Sequence, residues 1–275
     1  MTTQSSMTII RQKNQNLLQQ NEGGFIDKVG SYQFLAEPFH CDFSDHLFLG
    51  HLGNHMLNAA DYHSNERGFG MHYLNTIHRT WVLSRLVIEM EEMPKAYTNL
   101  TIETWVESAM RFFTNRNFKV SDATSGKVFG YGRSVWAMID TETRQPTDIL
   151  DIQDGKIKDY IVTDKECPID KPGRVKMSQE AESVTTIDTF YSDVDINGHI
   201  NSIKYNEHVL NLWSIDWYRH HHLRRIETAF VAEAHGGDRL TFCREETAPN
   251  DFSVSVTRAH DDTEVCRCRL LFSDM

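Results

Sequence analysis

The chain has 275 residues, 40% of them hydrophobic and 24% charged, enough apolar material for one large cored domain or two modest ones. No apolar run approaches the ~18 residues of a membrane-spanning helix, so no membrane partner is expected. A formal charge of −11 speaks against nucleic acid, whose phosphates favour basic surfaces.

In chain order, residues 1–27 read as a polar leader. Met1–Gln20 is rich in Thr, Ser, Gln and Asn and lacks the apolar stretch of a secretory signal. Leu49, Leu52, Met56, Ala59 and His63 then follow the spacing of one helix face, with Ser44 or Asp45 as N-cap and Gly68 as the stop. Period-2 strands come next. Leu100, Ile102 and Val106 share a face, as do Phe112, Phe118 and Val120, and as do Phe129, Tyr131, Val135, Ala137 and Ile139; Ser125-Gly126 supplies a turn. From Asp140 to Ser183 the chain carries Pro146, Pro168 and Pro172, several charges and no sustained period, the mark of a linker.

Beyond it the pattern repeats. Ile203, Leu210, Trp213 and Trp217 mark a second helix face, and Leu240–Phe242, Phe252–Val256 and Val265–Phe272 read as strands with a turn at Asp261-Asp262. The run Arg219–Arg225 reads by default as the solvated, basic end of that helix, where cations are favourable. Its consecutive histidines would diverge by about 100° on a helix and do not suggest a metal site. At one constant offset His55-Met-Leu-Asn58 matches His208-Val-Leu-Asn211, and Asp42, Ser44 and His46 fall opposite Asp195, Asn197 and His199. The same order of elements twice points to a duplicated α+β domain, a long helix lying against a curved antiparallel sheet in each half.

Five cysteines without a Cys-x-x-Cys pair fit neither a disulfide framework nor a zinc site. Cys266 and Cys268 align with Leu270 and Phe272 as small core side chains on a strand. A reducing, cytoplasmic compartment is expected.

The segment richest in chemistry is Tyr191-Ser-Asp-Val-Asp195-Ile-Asn197-Gly-His199-Ile-Asn201-Ser-Ile-Lys-Tyr205. In an extended backbone Asp195, Asn197 and His199 project to one face. A carboxylate, an amide and an imidazole there are the parts for activating water and holding an oxyanion. Taken alone, the spacing equally suits an Asp/Asn-rich capping loop before a helix. Gly198 permits an unusual backbone angle, and Asn201 or Ser202 can cap the second helix. No Gly-x-Ser-x-Gly elbow, Walker loop or Gly-x-Gly-x-x-Gly fingerprint is present.

From Ser31 to Phe272 the chain resembles the acyl-acyl carrier protein thioesterases of plant plastids and bacteria, the bacterial branch more closely. The resemblance rests on Trp81-Val-Leu-Ser-Arg-Leu-Val, Ile102-Glu-Thr-Trp-Val, Ser134-Val-Trp-Ala-Met-Ile-Asp and Asp193–Tyr205. It implies a tandem double hot-dog fold, two curved antiparallel sheets each wrapping a long central helix. Residues 28–145 would form the N-terminal domain that selects the acyl chain, 146–183 a linker, and 184–275 the catalytic domain. It also implies Asp195, Asn197, His199 and Glu233 as catalytic residues, with no metal or cofactor. The cysteine that follows this glutamate in many plant members is here Ala234, so no cysteine nucleophile is expected. Asp42-x-Ser44-x-His46 resembles a decayed copy of the motif.

The expected reaction is hydrolysis of fatty acyl-acyl carrier protein (acyl-ACP) thioesters. An acyl-CoA thioesterase of the same fold, a non-hydrolytic acyl-thioester-binding protein and a dehydratase or hydratase are the alternatives. Carrier proteins are acidic, so docking on this acidic body needs a local basic patch. Arg219–Arg225, Lys204, Arg174 and Lys176 are candidates for it. Monomer and homodimer both remain open.

Overall fold

The computed structural model describes residues 26–178 and 181–275; nearly all of the leader, including Met1–Gln20, lies outside them. The first half runs β1 (Gly30–Leu35), α1 (Leu49–Glu66), a short α2 (Met71–Leu74), β2 (Arg79–Met90), β3 (Asn99–Ala109), β4 (Phe113–Asp122) and β5 (Val128–Asp140). The second runs β6 (Glu182–Asp188), α3 (Ser202–Leu210), a short α4 (Ile215–Tyr218), β7 (His221–Phe230), β8 (Arg239–Ala248), β9 (Asp251–Arg258) and β10 (Glu264–Asp274). All ten strands form one sheet in the order β1-β3-β4-β5-β2-β7-β10-β9-β8-β6. Read inward from either edge, each half follows the same path. The halves meet where β2 pairs antiparallel with β7, from Arg85 opposite Ala229 to Glu89 opposite Arg225.

In α1 the periodic residues Leu52, Met56, Ala59 and His63 are buried against the sheet. Close approach is made possible by glycines. A Cβ on Gly132 of β5 would lie 2.1 Å from Met56 Cε, and one on Gly53 would lie 2.7 Å from Ile203 Cδ1 of α3. The two helices therefore pack on one another over a core shared by both halves. Gly68, at φ +81°, stops α1 in the left-handed region where glycine has no Cβ clash. Neither Ser44 nor Asp45 caps it: the helix opens after Phe48 with no side-chain cap, and both residues lie in the preceding turn.

The second helix is shorter than its periodicity suggests. α3 ends at Leu210, and the Ser214 hydroxyl accepts a hydrogen bond from Trp217 N–H at 3.2 Å to start α4. A serine that serves the backbone in this way begins a new helix rather than extending the old one. Trp213 and Trp217 still pack on Phe252 and Phe272, with ring centroids 5.2–5.6 Å apart.

Only the start of the basic run is a helix end: Arg219 is the C-cap of α4, and His220 Nδ1 lies 2.8 Å from Asp216 O. The run then leads into β7, where Arg225 is buried and paired with Glu89 and Glu227, and Arg224 pairs with Glu91. Lys204 pairs with Glu207, while Arg174 and Lys176 are exposed.

The aperiodic stretch after β5 packs closely. Ile149 and Ile157 join Phe69, Leu74 and Met138, while Val162, Cys167 and Ile169 cover Val87 and Trp105. Arg133 fixes the stretch by donating to the carbonyls of Ile169 and Cys167, at 2.9 and 2.7 Å. Cys266 and Cys268 are core residues beside Leu270 and Phe272. No helix among the described residues is long and apolar enough to cross a membrane.

Candidate active site

Asp195, Asn197 and His199 do not lie on an extended strand. They occupy a tight turn closed by the bridge between Val194 and Ile200. Gly198 N–H donates to Asp195 O at 3.0 Å, and Asp195 N–H donates to His199 O at 2.9 Å. Asn197 N–H donates to the Asp195 carboxylate at 2.8 Å. Gly198 stands at φ +81°, which the reversal requires. Asn201 then caps α3, its side chain accepting from Ile203 N–H at 2.8 Å.

The first half builds the same turn from different residues. Cys41 bridges Leu47, Asp42 N–H donates to His46 O at 2.7 Å, and Asp45 takes the glycine position at φ +66°. Ser44 N–H donates to the Asp42 carboxylate at 2.8 Å, as Asn197 N–H does to Asp195. The duplication thus extends to single hydrogen bonds.

It also identifies what the first half lacks. Leu47 N–H donates to Pro94 O and Ile200 N–H to Ala234 O, each at 2.8 Å. The residue preceding each acceptor is Met93 in the first half and Glu233 in the second. His199 Nε2 lies 3.4 Å from Glu233 Oε2, whereas His46 faces a copy with no carboxylate at that place. Its ring instead hydrogen-bonds the Ser44 hydroxyl at 3.1 Å, and that hydroxyl donates to Asp42 at 2.7 Å.

The fold therefore brings His199 and Glu233 into contact and sets Asp195 and Asn197 on the turn beside them. No side-chain hydrogen bond joins Asp195 or Asn197 to that pair among the described residues. Asn197 is exposed and the other three are partly buried, a balance that leaves the group accessible to a ligand.

Two neighbours carry no clear signal in the sequence. Arg144, from the turn after β5 in the first half, forms an ion pair with Glu233 Oε1. Nothing in its local sequence marks a contact 89 positions away. His235 packs edge-on against His199 with ring centroids 4.9 Å apart; the Glu233-Ala-His235 spacing is the one legible hint of it.

Cys41, Cys167 and Cys266 offer no prepared nucleophile. The position after Glu233 is Ala234, fully buried. The Cys41 and Cys167 thiols are pushed up chiefly by burial, and that of Cys266 by its contact with Cys268 and by burial. Raised thiols carry little thiolate at neutral pH.

Models of the acyl-ACP thioesterase N-terminal and C-terminal domains match residues 30–154 and 176–273. The chain belongs to the acyl-ACP thioesterase family, a family of thioester hydrolases. It is similar to the crystal structure of an acyl-ACP thioesterase from Bacteroides thetaiotaomicron, with 49% identity and a TM-score of 0.83 over 90% of this chain and 98% of that one. A 12:0-ACP thioesterase from Umbellularia californica shares the fold at 20% identity, with a TM-score of 0.78 over 92% of this chain and all of that one. Oleoyl-acyl carrier protein thioesterase 2 of Arabidopsis thaliana is 24% identical over 88% of this chain and 69% of its own length. Oleoyl-acyl carrier protein thioesterase 1 is 26% identical over 73% of this chain and 59% of its own length, so the match spans only part of these plant relatives.

Proposed function

We propose that this chain hydrolyses fatty acyl-ACP thioesters to free fatty acid and holo-acyl carrier protein, ending fatty acid elongation, and that it does so in its second half. The observation that carries this reading is the His199–Glu233 pair at 3.4 Å beside the Asp195 turn, a pair for which the first half has no equivalent. The repeated strand path supports reading each half as a hot-dog domain, with α1 and α3 as the two central helices.

In this reading Asp195 is the catalytic carboxylate, acting on water as general base or on the thioester carbonyl as nucleophile. Asn197 orients the carbonyl or the water. Glu233 holds the His199 ring, and His199 passes a proton toward the departing sulfur. A thiolate is a good leaving group near neutral pH, so protonating it matters less than in amide hydrolysis, and the carboxylate carries the larger burden. No step requires a metal or cofactor. Residues of the first half, packed on the other side of the shared core, would set the acyl-chain preference.

The test is a parallel hydrolysis assay on carrier-protein and CoA thioesters with chains from C8 to C18, following both free thiol and released acid. Rapid release from the carrier protein, slow release from CoA and a silent Asp195→Asn variant are expected. Tight acyl-thioester binding with no release from either carrier would contradict the proposal.

A further inference from the structure

Among the described residues, one group of His, Cys, Asp and Glu side chains converges closely enough to hold a metal ion. It comprises His199, Glu233 and His235, with one ligand atom of each within 4.8 Å of the others. We propose that these three residues form a binding site for a divalent transition metal of the zinc class, and that occupancy of this site switches hydrolysis off. The inhibitory half of this proposal rests on the hydrolytic function proposed for the chain; the binding half does not.

Two imidazoles and a carboxylate make a ligand set suited to zinc. With metal–ligand bonds of about 2.0–2.1 Å, two ligand atoms of a tetrahedral site lie about 3.3 Å apart. The His199 Nε2 to Glu233 Oε2 distance is already 3.4 Å. His235 is exposed, so a rotation of its ring can close the remaining edges without disturbing the core. Its backbone is held independently: His235 N–H donates to the Asp238 carboxylate at 2.8 Å, and His235 O accepts from the Thr189 hydroxyl at 3.2 Å. Arg144 pairs with Glu233 Oε1 and leaves Oε2 toward His199. The duplicated turn supplies an internal control, because its equivalents are His46, Met93 and Lys95, which cannot form such a set.

A bound metal would occupy the lone pair of His199 and the free oxygen of Glu233, the groups that the hydrolytic reading needs. His235 has no part in that mechanism, so it separates metal binding from catalysis. Arg144 gives a second handle of opposite sign, because removing a cation beside the site favours a metal cation.

The experiment titrates Zn²⁺ alone into the full chain by calorimetry and repeats the titration with His235→Ala, His235→Cys and Arg144→Ala. One zinc per chain is expected. His235→Ala removes a direct ligand and should weaken it by more than the ~10–100-fold typical of losing an outer-shell partner, His235→Cys should keep it, and Arg144→Ala should tighten it. Acyl-ACP hydrolysis, followed across the same zinc range, should fall for the original chain and persist for His235→Ala. No zinc binding, or binding that ignores His235→Ala, overturns the site. Binding through His235 that leaves hydrolysis untouched overturns the inhibition and the catalytic roles of His199 and Glu233 with it. A chain with no hydrolytic activity at all would sink the functional reading, while the zinc titration would still decide the metal site.

Discussion

The two halves share a strand path and a turn whose main-chain hydrogen bonds match, yet their interiors carry different chemistry. Beneath the C-terminal end of α1 the first half buries His63, Ser64, Arg67, Thr104 and Arg116. Arg116 donates to the hydroxyls of Ser64 and Thr104 at 3.0 and 3.2 Å. The second half fills the matching region with Trp213, Trp217, Phe252 and Phe272. At the turns Ser44 replaces Asn197 and Asp45 replaces Gly198, and the contrast that removes the partner of the histidine is Met93 against Glu233. A duplicated fold keeps its backbone pattern because hydrogen bonds and packing require it, while each copy's side chains diverge toward separate tasks.

The largest expected effect attacks the Met93/Glu233 position. Glu233→Gln should lower acyl-ACP hydrolysis by about 10²-fold or more, the scale of losing a positioned acid–base partner, whereas Met93→Gln should leave turnover within a few-fold. Steady-state kinetics on both variants checks this, and equal losses would erase the distinction between the halves.

Next in size is packing at the helix contact between them. Ile203→Ala removes a fully buried side chain facing Gly53 and should cost about 2–5 kcal/mol in urea unfolding. A loss below that range would mean that the two helices do not share a core.

The polar interior of the first half makes a pH prediction. Burial, helped by Arg116 and Arg67, pushes the His63 imidazole down to about 2, and its Nε2 hydrogen-bonds Lys28 O at 3.0 Å. A folded-state value below the unfolded one means that the unfolded chain takes up the proton as pH falls. The stability this site contributes is therefore complete above an unfolded value of about 6.5 and is lost on going down toward 2. Between pH 7.5 and 4.5 the loss should be on the order of 2–3 kcal/mol. His63→Gln keeps a donor for Lys28 O and removes the titration, so its unfolding should depend on pH by about one proton less. Identical slopes would show that His63 titrates freely in the folded chain.

The smallest effect concerns the bridge between halves. Arg144→Ala breaks a partly exposed ion pair with Glu233, worth about 0.2–1 kcal/mol, so turnover should change by a few-fold at most. A collapse comparable to that of Glu233→Gln would move Arg144 into the chemistry itself.

Much of this molecule is legible in its sequence. The duplication can be read because turn, helix and strands recur at a constant offset, and period-2 alternation marks Leu100, Ile102, Phe118 and Val120 as core. Residue type finds the turn at Asp195–His199 but not its geometry, since i, i+2, i+4 spacing cannot distinguish a strand from a reversal through Gly198. Trp213 and Trp217 keep a helical period across a break made by one hydrogen bond of Ser214. The run Arg219–Arg225 reads as a helix end throughout because the charges from His221 onward hide the alternation of β7, a strand buried through ion pairs. Val162, Cys167 and Ile169 read as linker because irregular chain is buried by position rather than by period. The contact of Arg144 with Glu233 leaves no local trace at all.

The central claim, that two matching turns have divided into one catalytic and one structural copy, is tested most directly by measuring acyl-ACP hydrolysis by Asp195→Asn and Asp42→Asn side by side, with folding of each verified by circular dichroism. The account predicts a loss of about 10²–10⁴-fold for Asp195→Asn and near-original turnover for Asp42→Asn. Substantial activity in Asp195→Asn, or an equal loss in both variants, would contradict it.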